Sequence, residues 1–201
     1  MTFSILSVCT GNICRSPVAE LLLTSELEPL STVRVSSAGT GALVGSGIPD
    51  QAQRLAATAG VDPSGHVARQ YDVAMLREAD LIVAMAREHR RTVVEAFPGA
   101  MRRSFTLREL ARIADVAESS LPKAVRDAGA SSAEEGMRAA VALAATLRGT
   151  VPPPASPEEF DIVDPYRRSD ETYLRSFEEL APAARKVAMY LRTAATIAVA
   201  S

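Results

Sequence analysis

Val8-Cys9-Thr10-Gly11-Asn12-Ile13-Cys14-Arg15-Ser16-Pro17 follows a short apolar run, Phe3 to Val8, and opens a helical pattern reaching Leu27. It places Cys9 six residues before Arg15, with a glycine and no acidic side chain between them. That is the layout of a loop that holds a tetrahedral oxyanion against a thiolate. Backbone N–H groups of Thr10, Gly11, Asn12, Ile13, Cys14 and Arg15 can point inward at phosphate oxygens, as loops and helix N-termini do for anions. Arg15 can add two parallel charge-assisted hydrogen bonds to the same group. The same positive field favours the thiolate of Cys9, the nucleophilic form. The plainer reading is a buried free cysteine in a strand-to-helix turn.

Outward from this loop, strand and helix patterns alternate. Phe3 to Val8, Thr32 to Ser36 and Asp80 to Met85 read as strands, with a fourth over Arg102 to Leu107. Ser16 to Leu27, Pro49 to Gly60 and Glu88 to Phe97 read as helices, the first capped by Ser16 or the turn before it and carrying Pro17 early. Such alternation predicts an α/β fold of three layers, a four-stranded parallel sheet with helices on both faces. Ligands of such sheets bind at the carboxyl ends of the strands, where the Cys9 loop falls. The whole chain, 1–201, reads as one domain. A segment at about 107–157 interrupts the alternation with helices over Leu107 to Ala117 and Ser132 to Leu147, then an extended V-P-P-P-A-S-P linker. It reads as additional helical structure, either packed beside the core or serving as a lid or dimer surface. Asp170 to Thr196 reads as a long helix, broken or shifted near Pro182.

Composition narrows the class. The 201 residues are 47% apolar and 23% charged with a net charge of −2, ordinary for a globular protein and without the basic footprint of a nucleic-acid binder. Arg87, Arg90, Arg91, Arg102 and Arg103 cluster, yet Glu88 and Glu95 interleave with the first three, as on a solvated helix face. Residues 1–8 are too short and too weakly basic for a signal peptide, and no apolar run is long enough to span a membrane. The two cysteines both lie in the loop, so no disulfide framework is expected, and a reducing cytoplasm fits. His66 and His89 form no ligand cluster with carboxylates or cysteines, so neither a metal nor another cofactor is expected.

Thiolate attack on a phosphate monoester needs an acid to protonate the departing oxygen. Asp164, in F-D-I-V-D-P-Y, is the candidate, because the following Pro165 holds it extended on a loop. Asp161 is its competitor and lacks the following Pro-Tyr. In the mechanism this predicts, Cys9 attacks phosphorus in line while Asp164 protonates the leaving group, giving a cysteinyl-phosphate. Water, deprotonated by Asp164, then hydrolyses it. Arg15 and the loop amides hold the equatorial oxygens, and Ser16 donates its hydroxyl to the sulfur. Asn12 tolerates the left-handed backbone that a loop curled around phosphate requires.

The C-T-G-N-I-C-R-S-P loop together with Asp164-Pro165-Tyr166 resembles the low-molecular-weight protein-tyrosine phosphatases. The resemblance implies a phosphorylated protein as substrate, with no nucleic-acid or membrane partner. It implies Cys9, Arg15 and Asp164 as catalytic residues and Thr10 to Ser16 as the phosphate-binding loop. It further implies that Asn12 is pinned by Ser16, Ser37 and His66 of H-V-A-R, and that Cys14 can protect Cys9 through a reversible disulfide. The other reading of Cys14 is a small residue filling loop space. The resemblance also implies that the helical segment at about 107–157 is an insertion, since the family covers that stretch in far fewer residues, and the chain departs from the family again at the substrate wall. Leu43 stands where an aromatic is usual, and Arg167 follows Tyr166 where a second aromatic is common, leaving a partly aliphatic wall of Leu43 and Tyr166. Ile13 replaces the threonine of arginine-phosphatase relatives and favours an aryl phosphate. Two other readings remain. Arsenate reduction by disulfide relay needs cysteines beyond Cys14, and the chain has none; a version using an external thiol stays open. A non-catalytic phosphate-binding module predicts that the nucleophile, the arginine or the acid is missing, and all three are present.

Overall fold

Alternate residues of strand β1 (Phe3–Cys9) feed two separate cores. The strand lies inside a parallel sheet of order β2-β1-β3-β4, with β2 at Val33–Gly39, β3 at Leu81–Ala84 and β4 at Ser104–Thr106. Val8 sits opposite Ala38 on one side and Ala84 on the other, so Cys9 emerges at the carboxyl edge beside Gly39. This computed structural model describes residues 2–200. Met1, the first residue of the segment read above as too short for a signal peptide, and Ser201, the last of the 1–201 reading, lie outside the described residues.

Phe3, Ile5, Leu81, Val83 and Phe105 join the larger core, covered by α1 (Arg15–Leu27), α2 (Asp50–Thr58), α5 (Leu107–Ala117), α6 (Leu121–Asp127), α7 (Ala133–Leu147) and α8 (Asp170–Ala200). Leu6, Val8 and Ile82 point the other way, onto Leu76 of α3 (Val73–Glu78) and Val93 of α4 (Arg87–Ala96). Both faces are therefore covered, as continuous apolar strands demand.

Several boundaries differ from the sequence reading, each for a local reason. The fourth strand keeps only Ser104–Thr106, because Pro98–Arg103 winds into a 3-10 helix in which Ser104 Oγ donates to the Ala100 carbonyl at 2.8 Å. Between 107 and 157 there are three helices rather than two, α6 having been missed. The first starts sharply at a capping box between Thr106 and Glu109. Of the two caps read for α1, the turn before Ser16 is the one formed: Cys14 occupies the cap position, and the serine hydroxyl turns to Cys9. Pro182 does not break α8, which runs unbroken from 170 to 200. Pro182 and Glu178, whose carbonyl loses its N–H partner, both face solvent, where water can replace the bond. Leu180, Ala181, Ala183 and Ala184 around them are buried and hold the helix down. The arginines read as a solvated face also divide. Arg91 does pair with Glu95 in solvent, but Arg87 binds Asp161 and Arg90 donates to the Ser104 carbonyl.

Candidate active site

Strand β1 ends at Cys9 and α1 begins at Arg15, so residues 10–14 must turn within a few ångströms of the strand that follows. Gly39 makes this possible: a Cβ there would stand 2.4 Å from the Thr10 carbonyl oxygen. Thr40 N donates to the Cys9 carbonyl at 2.9 Å, Gly41 N to Thr10 at 3.0 Å and Leu43 N to Gly11 at 3.0 Å. Asn12 supplies the left-handed residue of the turn, with φ 54°. It is fully buried, a setting in which each of its polar atoms needs a partner.

Those partners form one directed network. Ser37 Oγ donates to Glu20 Oε2 at 2.5 Å, and Asn12 Nδ2 donates to Ser37 Oγ at 2.8 Å and to Ser16 Oγ at 3.0 Å. Arg69 N donates to Asn12 Oδ1, and His66 Nε2 donates to the Asn12 carbonyl at 2.6 Å. Because Ser16 Oγ accepts from Asn12, its own proton is left for Cys9 Sγ, 3.0 Å away. Asn12 N is a second donor to that sulfur at 3.3 Å. The carboxylate of Glu20 thus takes the Ser37 proton, Arg69 N fixes which way the Asn12 amide faces, and the Ser16 proton is left for the thiol.

Arg15 is buried at the loop's end, 6% exposed. Its Nη1 donates to the Ile162 carbonyl at 3.1 Å and its Nη2 meets Asp164 Oδ2 at 2.9 Å, while Nε has no partner. Asp164 is more than half exposed, and its Oδ1 accepts from Tyr166 N at 3.2 Å in an Asx turn. Asp161 points elsewhere. It accepts from the backbone N–H of Arg87 at 2.7 Å, at the start of α4, and pairs with the Arg87 guanidinium. The two aspartates therefore separate: only Asp164 reaches the guanidinium of the loop.

The remaining loop residues divide between mouth and core. Thr10 and Leu43 are exposed at the mouth, as is Tyr166, whose ring carries the Arg167 guanidinium 5.1 Å from its centroid. Ile13 is buried against Gly11. Cys14 turns toward α8, its Sγ 3.8 Å from the Tyr173 hydroxyl, and burial pushes its thiol up to about 11. Both cysteines are free thiols.

Three contributors had no role at the site in the sequence reading. Glu20 stands four residues after Ser16, a spacing that puts both on one helix face, and that was its only signal. Arg87 holds the Asp161 loop, with no local pattern to announce it. His89, read only as a residue that ligates nothing, is 3% exposed, and its Nε2 lies 2.8 Å from Thr10 Oγ1. Burial, with Arg15 nearby, pulls its pKa down to about 4.

The sulfur, the guanidinium and the carboxylic acid thus meet at one sheet edge, an arrangement able to hold an oxyanion and move a proton beside it. Comparison with known proteins points the same way. The low molecular weight protein-tyrosine-phosphatase Ptp of Acinetobacter johnsonii is 36% identical over 104 residues, which span 52% of this chain and 71% of that protein. Wzb of Escherichia coli strain K12, of the same description, is 44% identical over 95 residues, 47% of this chain and 63% of Wzb, less than two thirds of its length. Among solved structures, the YwlE arginine phosphatase of Geobacillus stearothermophilus superposes with a TM-score of 0.66 at 27% identity, over 95% of this chain and 94% of that one. The family model for low molecular weight phosphotyrosine protein phosphatases matches residues 4–124, well over half the chain, and the chain belongs to that family of hydrolases.

Proposed function

We propose that this chain hydrolyses phosphate monoesters, protein phosphotyrosine first among them, through a cysteinyl-phosphate on Cys9. One observation carries the proposal: Cys9 Sγ sits among the donors Ser16 Oγ and Asn12 N, while the neighbouring Arg15 holds Asp164 at 2.9 Å. The phosphoryl group occupies the loop and takes over donors of Arg15, which frees Asp164 to turn to the leaving oxygen. Cys9 attacks phosphorus as the ester bond breaks, and Asp164 gives its proton to the departing oxygen. Asp164 then takes a proton from the water that releases phosphate and regenerates the thiolate. Ser16 stabilises the sulfur as nucleophile in the first step and as leaving group in the second.

The mouth residues Leu43 and Tyr166 support an aryl substrate, since they offer an aliphatic and an aromatic side to a phenyl ring, and Ile13 brings no hydroxyl to the loop for a nitrogen-linked phosphate. The residues from 107 to 157 are a helical insertion that packs on the core without entering the site.

A panel of phosphotyrosine, phosphoserine and phosphoarginine peptides tests the substrate class, with thiol-dependent arsenate reduction run beside it. Phosphotyrosine turnover should dominate; faster phosphoarginine turnover or arsenate reduction overturns the reading. Cys9→Ser should abolish turnover and retain vanadate or phosphate binding, because the loop amides and Arg15 remain. Asp164→Asn should slow phenyl phosphate by roughly 10²–10⁴-fold and p-nitrophenyl phosphate, with its better leaving group, much less. Equal losses on the two would remove Asp164 from the acid role.

A further inference from the structure

His89 and Thr10 share a single proton across 2.8 Å, and which of them owns it has a consequence at the mouth of the site. The imidazole is 3% exposed, and its Nδ1 is buried without a partner. Were the ring proton on Nδ1, a buried donor would go unpaired. With the proton on Nε2, Nδ1 is an unpaired acceptor, the less rare of the two defects in folded proteins. A doubly protonated ring is disfavoured by burial and by the Arg15 charge, Asp164 and Asp161 opposing only in part.

We propose that His89 is a positioning residue of the phosphate site: its Nε2–H donates to Thr10 Oγ1, so that the threonine hydroxyl proton is presented to a phosphoryl oxygen. Three features of Thr10 support this. It directly follows Cys9, and it is exposed at the mouth. Its carbonyl is already held by Gly41 N at 3.0 Å, which fixes the backbone. With Oγ1 accepting from the imidazole, the hydroxyl keeps its own proton free to donate to a bound oxyanion. A neutral imidazole can orient that donor without adding a second full positive charge beside Arg15. The site thereby gains a side-chain donor at the outer rim, beyond the loop amides and the guanidinium.

This inference rests on the phosphatase reading for its kinetic test, so a second measurement reads the contact without turnover. In the full chain, Thr10→Val and His89→Leu should each lower kcat/KM for p-nitrophenyl phosphate about tenfold, less than the roughly 10²–10³ of a principal oxyanion donor because the loop amides and Arg15 remain. The double variant should fall no further, since both remove the same donor. His89→Gln, whose amide N–H reaches about as far as Nε2–H, should recover most of the loss, which a merely space-filling role would not produce. The inhibition constant of inorganic phosphate should rise in parallel. Independently, the ring 15N signals of wild-type His89 should report an Nε2–H tautomer and shift on titration with phosphate, with the shift lost in Thr10→Val. Additive losses, no recovery with glutamine, or an Nδ1–H tautomer would overturn the inference. If turnover is absent while the phosphate-dependent 15N shift persists, the phosphatase reading fails and the positioning role stands.

Discussion

A buried neutral imidazole ties the stability of this protein to acid. The His89 pKa of about 4 lies below its ordinary value of 6.5, so the folded state binds fewer protons than the unfolded state between those limits. The stabilisation is complete above pH 6.5 and is lost as pH falls through the folded value near 4, a loss of at most a few kcal/mol. The thermal midpoint of the wild type should therefore drop more steeply from pH 7 to pH 4 than that of His89→Gln, which has no proton to gain. Parallel curves for the two proteins would show that the ring does not titrate in this way. None of this was legible in the sequence, where His89 stands in a run of charged residues and its partner Thr10 lies 79 positions away. Asn12 is the contrasting case. A loop that must curl around an anion needs a residue tolerant of positive φ, so its conformation followed from its type and place. Its links to Ser37 and His66 followed from family resemblance, whereas Glu20, which accepts the Ser37 proton, had only its spacing from Ser16 to mark it.

At the scale of elements, α7 meets α8 at Gly136 with no room for a side chain. A Cβ there would meet the Ala194 carbonyl oxygen at 2.4 Å and the Ala198 Cβ at 2.8 Å. Replacing a helix-interior glycine by alanine ordinarily stabilises by about 0.4–1 kcal/mol, through propensity and a less flexible unfolded chain. Here the obstacle is backbone, which cannot rotate away, and overpacking of this kind costs about 1–3 kcal/mol. The steric effect wins, so Gly136→Ala should lower the thermal midpoint by several degrees. Phosphatase activity well below that midpoint should be preserved, because α7 lies away from the loop. An unchanged or raised midpoint would mean that the two helices separate freely. Long elements such as α1, α4, α5 and α7 were readable because their apolar spacing persists over ten or more residues. The six-residue α3 and the seven-residue α6 were not, since Leu76 alone, or Leu121 with Val125, buries too little to form a pattern. Their ends depend on the Asp72 side chain accepting from Met75 N and on packing against elements distant in sequence.

At the scale of the whole molecule, the site depends on bringing the segment around Asp164 back to a loop at the other end of the chain; Arg15 and Ile162, which touch, are 147 positions apart. The fold fastens that segment residue by residue. Asp161 is held by Arg87, its carbonyl accepts from Arg108 Nη1 at 2.9 Å, and Ile162 N donates to the Met85 carbonyl at 2.8 Å. Val163 N then donates to Glu179 Oε2 of α8 at 2.9 Å. Glu179 is thus the fastening nearest to Asp164, and it also faces Arg108 and Arg175. Removing it leaves Cys9, Arg15 and Asp164 in place chemically but frees the chain between Ile162 and Pro165. In Glu179→Ala the carboxylic acid should spend less time aligned with the leaving oxygen, a loss felt most where protonation limits the rate. Turnover of phenyl phosphate should fall about tenfold, a fraction of the 10²–10⁴ that a general acid supplies, while p-nitrophenyl phosphate should change little. The thermal midpoint should fall by only a few degrees: the exposed Arg175 makes a weak pair, and the loss is mainly the hydrogen bond that the largely buried Glu179 accepts from Val163 N. Equal loss on both substrates would place the effect on the phosphate loop through Arg15 and Ile162. A large fall in midpoint would make Glu179 a support of α8 instead of a holder of the acid.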